Sequence, residues 1–214
     1  ISFSNDLEED FENGFTLSDY EYFYNGAGVA LGDINNDGLS DIYFSGNMVK
    51  DRLYLNMGNF NFKDISEESG IWISEARWST GVNMVDINGD NLLDIYVCQA
   101  GPYKNKEQRS NLLFINNGDL SFSEKAAEYG LDDSGIGVSS SFFDYDQDGD
   151  LDCYVSNESP LSKVFFEQLY LNNQRGEKLD QHSGHLFRNE GGGQFVKVTK
   201  DAGLLQLGFG LGAV

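Results

Sequence analysis

Positive charge is scarce in this chain: 14 lysines and arginines stand against 35 aspartates and glutamates in 214 residues, for a formal net charge of -21. A field of that sign repels nucleic acid and anionic membrane surfaces, so neither is expected as a partner. Long apolar runs are also missing, and without a run of about 18 such residues no membrane-spanning helix is expected. Cysteine is limited to Cys98 and Cys153, four residues and one residue after the last aspartate of two equivalent acidic stretches. That odd offset points them to opposite faces of a pleated strand, and both read as buried free thiols that do not fix the redox compartment. The two histidines, His182 and His185, have no third ligand of their kind nearby, and His185 falls at the register of Arg52, so a surface place is expected for it. No nucleophile elbow, Ser-His-Asp order or glycine-rich phosphate loop occurs, so no catalytic residue is assigned and an enzyme is unsupported.

What the chain does have is apolar and aromatic material, 40% hydrophobic residues with 16 Phe and 11 Tyr, enough for a sizeable core. It also has one acidic pattern three times over. "DINNDGLSD" begins at Asp33, "DINGDNLLD" at Asp86 and "DYDQDGDLD" at Asp144, each running straight into an apolar segment. Two carboxylates about 4 Å apart repel by roughly 1 kcal/mol in water and about 4 at a protein surface. Oxygen-bearing side chains at alternate positions of a tight loop converge on one point, which suits a hard cation such as Ca²⁺. An ordinary hairpin turn uses the same residue types, but it does not require carboxylates in fixed register. An EF-hand is excluded, because its twelfth position needs a bidentate Glu and here Phe44, Val97 and Val155 stand there.

The loops belong to a longer unit. Asn56, Asn116 and Asn189 are 60 and 73 residues apart, and Phe62, Phe122 and Phe195, like Gly70, Gly130 and Gly203, keep the same intervals. Length varies only between loop and downstream segment, as in surface connections on a repeated scaffold. In the first unit "GVALG" (28–32), "IYFSG" (42–46), "RLYLN" (52–56) and "FNFKDI" (60–65) read as four strands. Repeats of this size with four strands each predict an all-β chain, a β-propeller of four-stranded blades. The expected units are residues 26–71, 79–131 and 137–204. "ISFSN" (1–5) matches "LSFSE" (120–124), so residues 1–25 are expected to end a preceding blade and form a linker. "GFGLGAV" matches "GIGVSSS", so residues 205–214 are expected to start a further blade, and a closed ring needs more blades than these.

The three loops, "YNGAGVALGD", "FGLGAV", and the "LYLNxG" and "AGL" echoes make the chain resemble FG-GAP, or VCBS, repeat proteins, whose blades also build the propellers of integrin alpha subunits. The resemblance implies Ca²⁺ in each of about three loops and a ring of seven or eight blades. It also implies a secreted or cell-surface setting, similar to the bacterial proteins that look like cartilage acidic protein, which are exported or lipid-anchored at the outer membrane. Carried over by position, the side-chain ligands would be Asp33, Asn35, Asp37 and Asp41, then Asp86, Asn88, Asp90 and Asp94, then Asp144, Asp146, Asp148 and Asp152. Leu39, Leu92 and Asp150 would offer backbone carbonyls. The second loop departs from the pattern with Asn91 in place of Gly38 and Gly149, a residue that tolerates left-handed backbone.

The expected function is a calcium-binding extracellular module that binds or scaffolds a protein or glycan. Two other classes stay open on the sequence: a catalytic propeller, such as a polysaccharide lyase or hydrolase with its site in further blades, and an accessory subunit of an outer-membrane complex. Residues 99–110, with Lys104, Lys106 and Arg109, and residues 156–184, with Lys163, Arg175, Lys178, Phe165, Phe166 and Tyr170, are insertions suited to docking a partner. Trp72 and Trp78 are expected to pack between blades in preference to forming a sugar platform. "NES" at Asn157 is a weak glycosylation match.

Overall fold

Alternating apolar residues after each acidic loop form strands because one face of each strand can then bury against a neighbouring sheet. The computed structural model describes residues 1–72, 77–103, 105–159, 180 and 183–205. It contains three four-stranded antiparallel sheets, each a simple meander. The first is β1 (Val29–Gly32), β2 (Asp41–Phe44), β3 (Arg52–Asn56) and β4 (Phe62–Asp64). The second is β5 (Ser79–Val85), β6 (Asp94–Gln99), β7 (Leu112–Asn116) and β8 (Phe122–Glu124), followed by a single helical turn, α1 (Ala126–Tyr129). The third is β9 (Gly137–Phe143), β10 (Asp152–Asn157), β11 (His185–Asn189) and β12 (Phe195–Lys197). This is the all-β blade arrangement that the repeat predicts.

The sheets stack through alternate faces. Tyr43 of β2 lies in one buried cluster with Ile95, Val97, Leu112 and Phe114 of the second sheet. The opposite face of β6, with Tyr96 and Cys98, shares the next cluster with Cys153, Val155 and Phe187 of the third sheet. The two cysteines are therefore on opposite faces of equivalent strands yet in one interface, both buried and free. Strands β1, β5 and β9 pack side by side. There Gly81 is required by contact, since a Cβ on it would lie 2.6 Å from the Val138 carbonyl oxygen.

Residues 1–5 do not form the closing strand expected of them: no strand is assigned there, and they lie across the first sheet. Phe3 stacks on Phe44 with ring centroids 5.2 Å apart, and Tyr54 donates to the Ser2 carbonyl. Trp78 is buried, but its ring partners are Tyr20 and Phe23, from the segment ahead of the first sheet. The expected start of a further blade at residues 206–214 lies outside the described residues. So do Lys104, His182 and the basic and aromatic residues of the long insertion.

Gly130 shows why one repeated glycine keeps its interval. It caps α1 with φ 75°, and a Cβ there would lie 2.5 Å from the Phe195 carbonyl oxygen of the third sheet. Gly130→Ala combines left-handed strain with a backbone clash across the sheet interface. It is expected to destabilise by about 2–3 kcal/mol in equilibrium denaturation. A loss below about 0.5 kcal/mol, the range of an ordinary surface change, would show that this glycine does not set the sheet spacing.

Candidate metal centre

Each acidic loop is built around its first and last aspartates. Asp33 accepts from the amides of Asp37 and Gly38, at 3.1 and 2.7 Å. Asp86 accepts from Gly89, Asp90 and Asn91, and Asp144 from Gln147, Asp148 and Gly149. These bonds curl the loop around its first carboxylate. Gly38, Asn91 and Gly149 have φ of 85°, 66° and 97°, so the asparagine of the second loop adopts the same left-handed turn as the two glycines. At the seventh position the amides of Leu39, Leu92 and Asp150 donate to Asp37, Asp90 and Asp148, at 2.8, 2.8 and 2.9 Å. Asn35 and Asn88 turn their amide nitrogens to Asp37 and Asp90.

The last aspartate is the buried one. Asp41, Asp94 and Asp152 have no exposed surface. Asp41 accepts from the amides of Ile34 and Asn56, Asp94 from Ile87 and Asn116, and Asp152 from Tyr145 and Asn189. The asparagine in turn donates its side chain to the carbonyl just before the aspartate, Ser40, Leu93 or Leu151, and accepts from Gly58, Gly118 or Gly191 in the following turn. Asn56, Asn116 and Asn189 are thus positioning residues for the loops. The signal was that Phe62, Gly70 and their repeats keep the same two intervals, although sequence alone did not tie the asparagines to the aspartates.

In the third loop, carboxylate oxygens of Asp144, Asp146 and Asp152 lie within 4.8 Å of one another, the one such cluster among the described residues. The first two loops carry Asn35 and Asn88 where this loop has Asp146. Desolvation raises the Asp146 carboxyl, and the charges of Asp148 and Asp152 add to that. Burial likewise raises Asp41, and it pushes Asp94 up to about 6, with Asp90 and Asp86 contributing. The loops therefore favour neutralisation, by a proton or by a cation. Their donors are carboxylate and amide oxygens with no sulfur or imidazole, the set that suits a hard divalent ion.

His185 contradicts its expected surface position. It is 5% exposed, and its Nδ1 lies 2.8 Å from Asp133, while Nε2 lies 2.8 Å from the Asp180 carbonyl oxygen. The register that places Arg52 at the start of β3 brings His185 at the start of β11 against Asp133, in the segment linking the second and third sheets. Asn157 is 2% exposed and donates to Asp133, so its side chain is buried in the fold and unsuited to glycosylation. Burial alone would lower His185, but the hydrogen bond and charge of Asp133 raise it. For Asp133 burial alone would raise the carboxyl, and His185 holds it below the ordinary value.

The family model of the FG-GAP-like repeat matches residues 33–97, which span the first two acidic loops and all of the first sheet after β1. The three four-stranded antiparallel sheets are consistent with such a repeat. No curated protein matches the chain. Among the described residues no helix is long and apolar enough to cross a membrane.

The His185–Asp133 pair gives a pH prediction. A raised histidine stabilises below its ordinary value and loses that contribution as pH rises through its folded value. A lowered aspartate stabilises above its ordinary value and loses it as pH falls through its folded value. The pair is at full strength between roughly pH 4 and 6.5. His185→Leu leaves Asp133 buried and unpaired, with an expected loss of about 3–5 kcal/mol near pH 6. Denaturation midpoints of both proteins from pH 5 to 9 should converge on the alkaline side; parallel curves would show that the pair is not charged.

Proposed function

We propose that this chain, with an FG-GAP-like repeat match over residues 33–97, is part of a Ca²⁺-stabilised β-propeller that works outside the cell as a binding or scaffold module. The partner is a protein or glycan displayed at the cell surface. The observation that carries the metal reading is the convergence of Asp144, Asp146 and Asp152 in a loop that recurs with the same hydrogen bonding three times. A hard divalent ion supplies the positive charge that these carboxylates lack, and needs six to eight oxygen donors. Millimolar external calcium suits loops whose affinities fall in the extracellular range of about 10⁻⁴ to 10⁻³ M.

The side chains that would hold the ion are Asp33, Asn35, Asp37 and Asp41 in the first loop, with Asp86, Asn88, Asp90 and Asp94 in the second. Asp144, Asp146, Asp148 and Asp152 take these places in the third, and Leu39, Leu92 and Asp150 add their carbonyls. The protein's own contribution is preorganisation. The first aspartate shapes the loop through backbone amides, and the last one fixes the loop to the sheet before any ion arrives. Asp41, Asp94 and Asp152 therefore act first as structural anchors, each offering whatever lone pairs its two amide bonds leave free. The third loop, with five aspartates against three in each of the others, should bind most tightly.

Calorimetric titration with Ca²⁺ is expected to show three binding events. Asp37→Ala, Asp90→Ala and Asp148→Ala should each remove one, with the tightest lost in Asp148→Ala. At about 100 times its dissociation constant each ion adds about 2.7 kcal/mol of stability, so chelator should lower the melting temperature. Absence of binding heat together with an unchanged melt in chelator would overturn the metal reading.

A further inference from the structure

We propose that a cleft at the outer edge of the first sheet binds a neutral sugar, one or two units of a hexose or N-acetylhexosamine glycan. The inference rests on the reading of the chain as a surface binding module and gives that module a ligand class. The cleft has a volume of about 350 Å³ and is lined by Arg52, Asp64, Glu67, Glu68 and Trp72. That is within the roughly 300–1,000 Å³ range of small-molecule sites.

The platform is rigid. Trp72 is half-buried, and its indole Nε1 donates to the Asp51 carbonyl at 3.1 Å. Asp51 is itself fixed, its carboxylate accepting from Tyr43 at 2.6 Å, the Gly46 amide at 2.8 Å and Ser79 at 3.0 Å. Lys50 Nζ and the Arg52 guanidinium carbon lie over the indole, 4.4 and 4.9 Å from the ring centroid. The Arg52 contact with Asp64 is long, 3.6 Å, and its Nη1 donates to the Asp51 carbonyl at 3.4 Å, which leaves the remaining guanidinium donors to a ligand. The Glu67 carboxylate has no partner among the described residues, and only one oxygen of Glu68 is taken, by Lys63.

Charge decides the ligand class. The lining holds Asp64, Glu67 and Glu68 against Arg52; beside it Lys63 pairs with Glu68 and Lys50 lies over the indole, so the six charges in and around the cleft sum to zero in a chain of net charge -21. A cation would meet two positive groups already over the indole, and an anion would meet three carboxylates. A neutral polyhydroxyl ligand satisfies both sets, accepting from Arg52 and donating to Glu67 while its C–H face rests on the part of Trp72 that lines the cleft. The scaffold does not require these residues. At the repeat intervals Trp72 becomes Asp132 and Leu205, Arg52 becomes Leu112 and His185, and Lys50 becomes Ser110 and Ser183. The second and third sheets form without such a set, which argues that the first sheet carries it for binding.

The chain has two tryptophans, and Trp78 is 1% exposed, so the indole NMR signal of Trp72 is a local reporter with an internal control. The calcium-saturated chain is titrated with neutral oligosaccharides of glucose, galactose, mannose and N-acetylglucosamine. At least one should move the Trp72 signal saturably and leave Trp78 in place. Glu67→Gln, an exposed change that leaves the fold intact, should weaken that sugar about tenfold by removing a charge-assisted hydrogen bond. If no sugar moves Trp72 while calcium binding is intact, the inference falls and the metal reading survives. Equal affinity in Glu67→Gln, or a response confined to heparin or polylysine added as charged probes, also overturns it.

Discussion

A carboxylate with no exposed surface sits at the mouth of the second strand in all three sheets, and its two amide hydrogen bonds hold each unit together. Asp41, Asp94 and Asp152 each accept one amide from the acidic loop and one from the third strand. Burying a charge without partners costs several kcal/mol, whereas hydrogen bonds to a charged group return about 1.5–3 kcal/mol each. The aspartate thus makes loop closure and strand pairing one event. An asparagine in its place would offer only one acceptor oxygen for two amides, which explains an acid at this position even where the third loop position tolerates an amide.

From that anchor the packing follows by parity. With aspartate at the first position of β2, β6 and β10, residues two further on, Tyr43 and Tyr96, must face the next sheet, while the residues between face the previous one. The result is two interfaces of the same design with different fillings. Tyr43 closes the first through Asp51 and Ser79, and Tyr96 donates to the Leu131 carbonyl in the second. Cys98 and Cys153 meet across that second interface because one lies on the even face and the other on the odd face of equivalent strands.

Much of this was legible because its signals are local and repeated. The loops, the four strands per unit, the intervals of Asn56, Phe62 and Gly70, and the burial of both cysteines all follow from short patterns that recur along the chain. What was missed depends on distant partners. His185 was expected at the surface because it falls at the register of Arg52 and has no third ligand of its kind nearby, yet its ion-pair partner Asp133 is 52 residues away. Trp78 packs with Ala100 and Ile136 between the second and third units, but the rings that cover it come from residues 20 and 23, far away in sequence. Residues 1–5 have a strand-like pattern, but the side-chain register that makes Phe3 stack on Phe44 provides no ladder of backbone bonds. The acidic loops stand out in the sequence as candidate metal loops, while the structural role of their last aspartate does not, since backbone amides leave no mark on side-chain spacing.

The first acidic loop and the cleft beside Trp72 lie on the same sheet, and their connection is rigid. Asp41 and Tyr43 are two residues apart on β2, and the Tyr43 hydroxyl reaches Asp51, whose carbonyl holds Trp72. A chain of contacts alone does not make an allosteric path; coupling requires an element with two arrangements that both sites bias. None exists here: β2 is paired on both sides, Tyr43 has no exposed surface, and Asp51 already holds three donors. The amide bonds that shape each loop also fix its attachment to the sheet, so a bound ion would have little strain to transmit. In the proposed reading calcium would act as a stabiliser of the scaffold, and the surfaces between and beside the sheets could vary without disturbing the acidic loops.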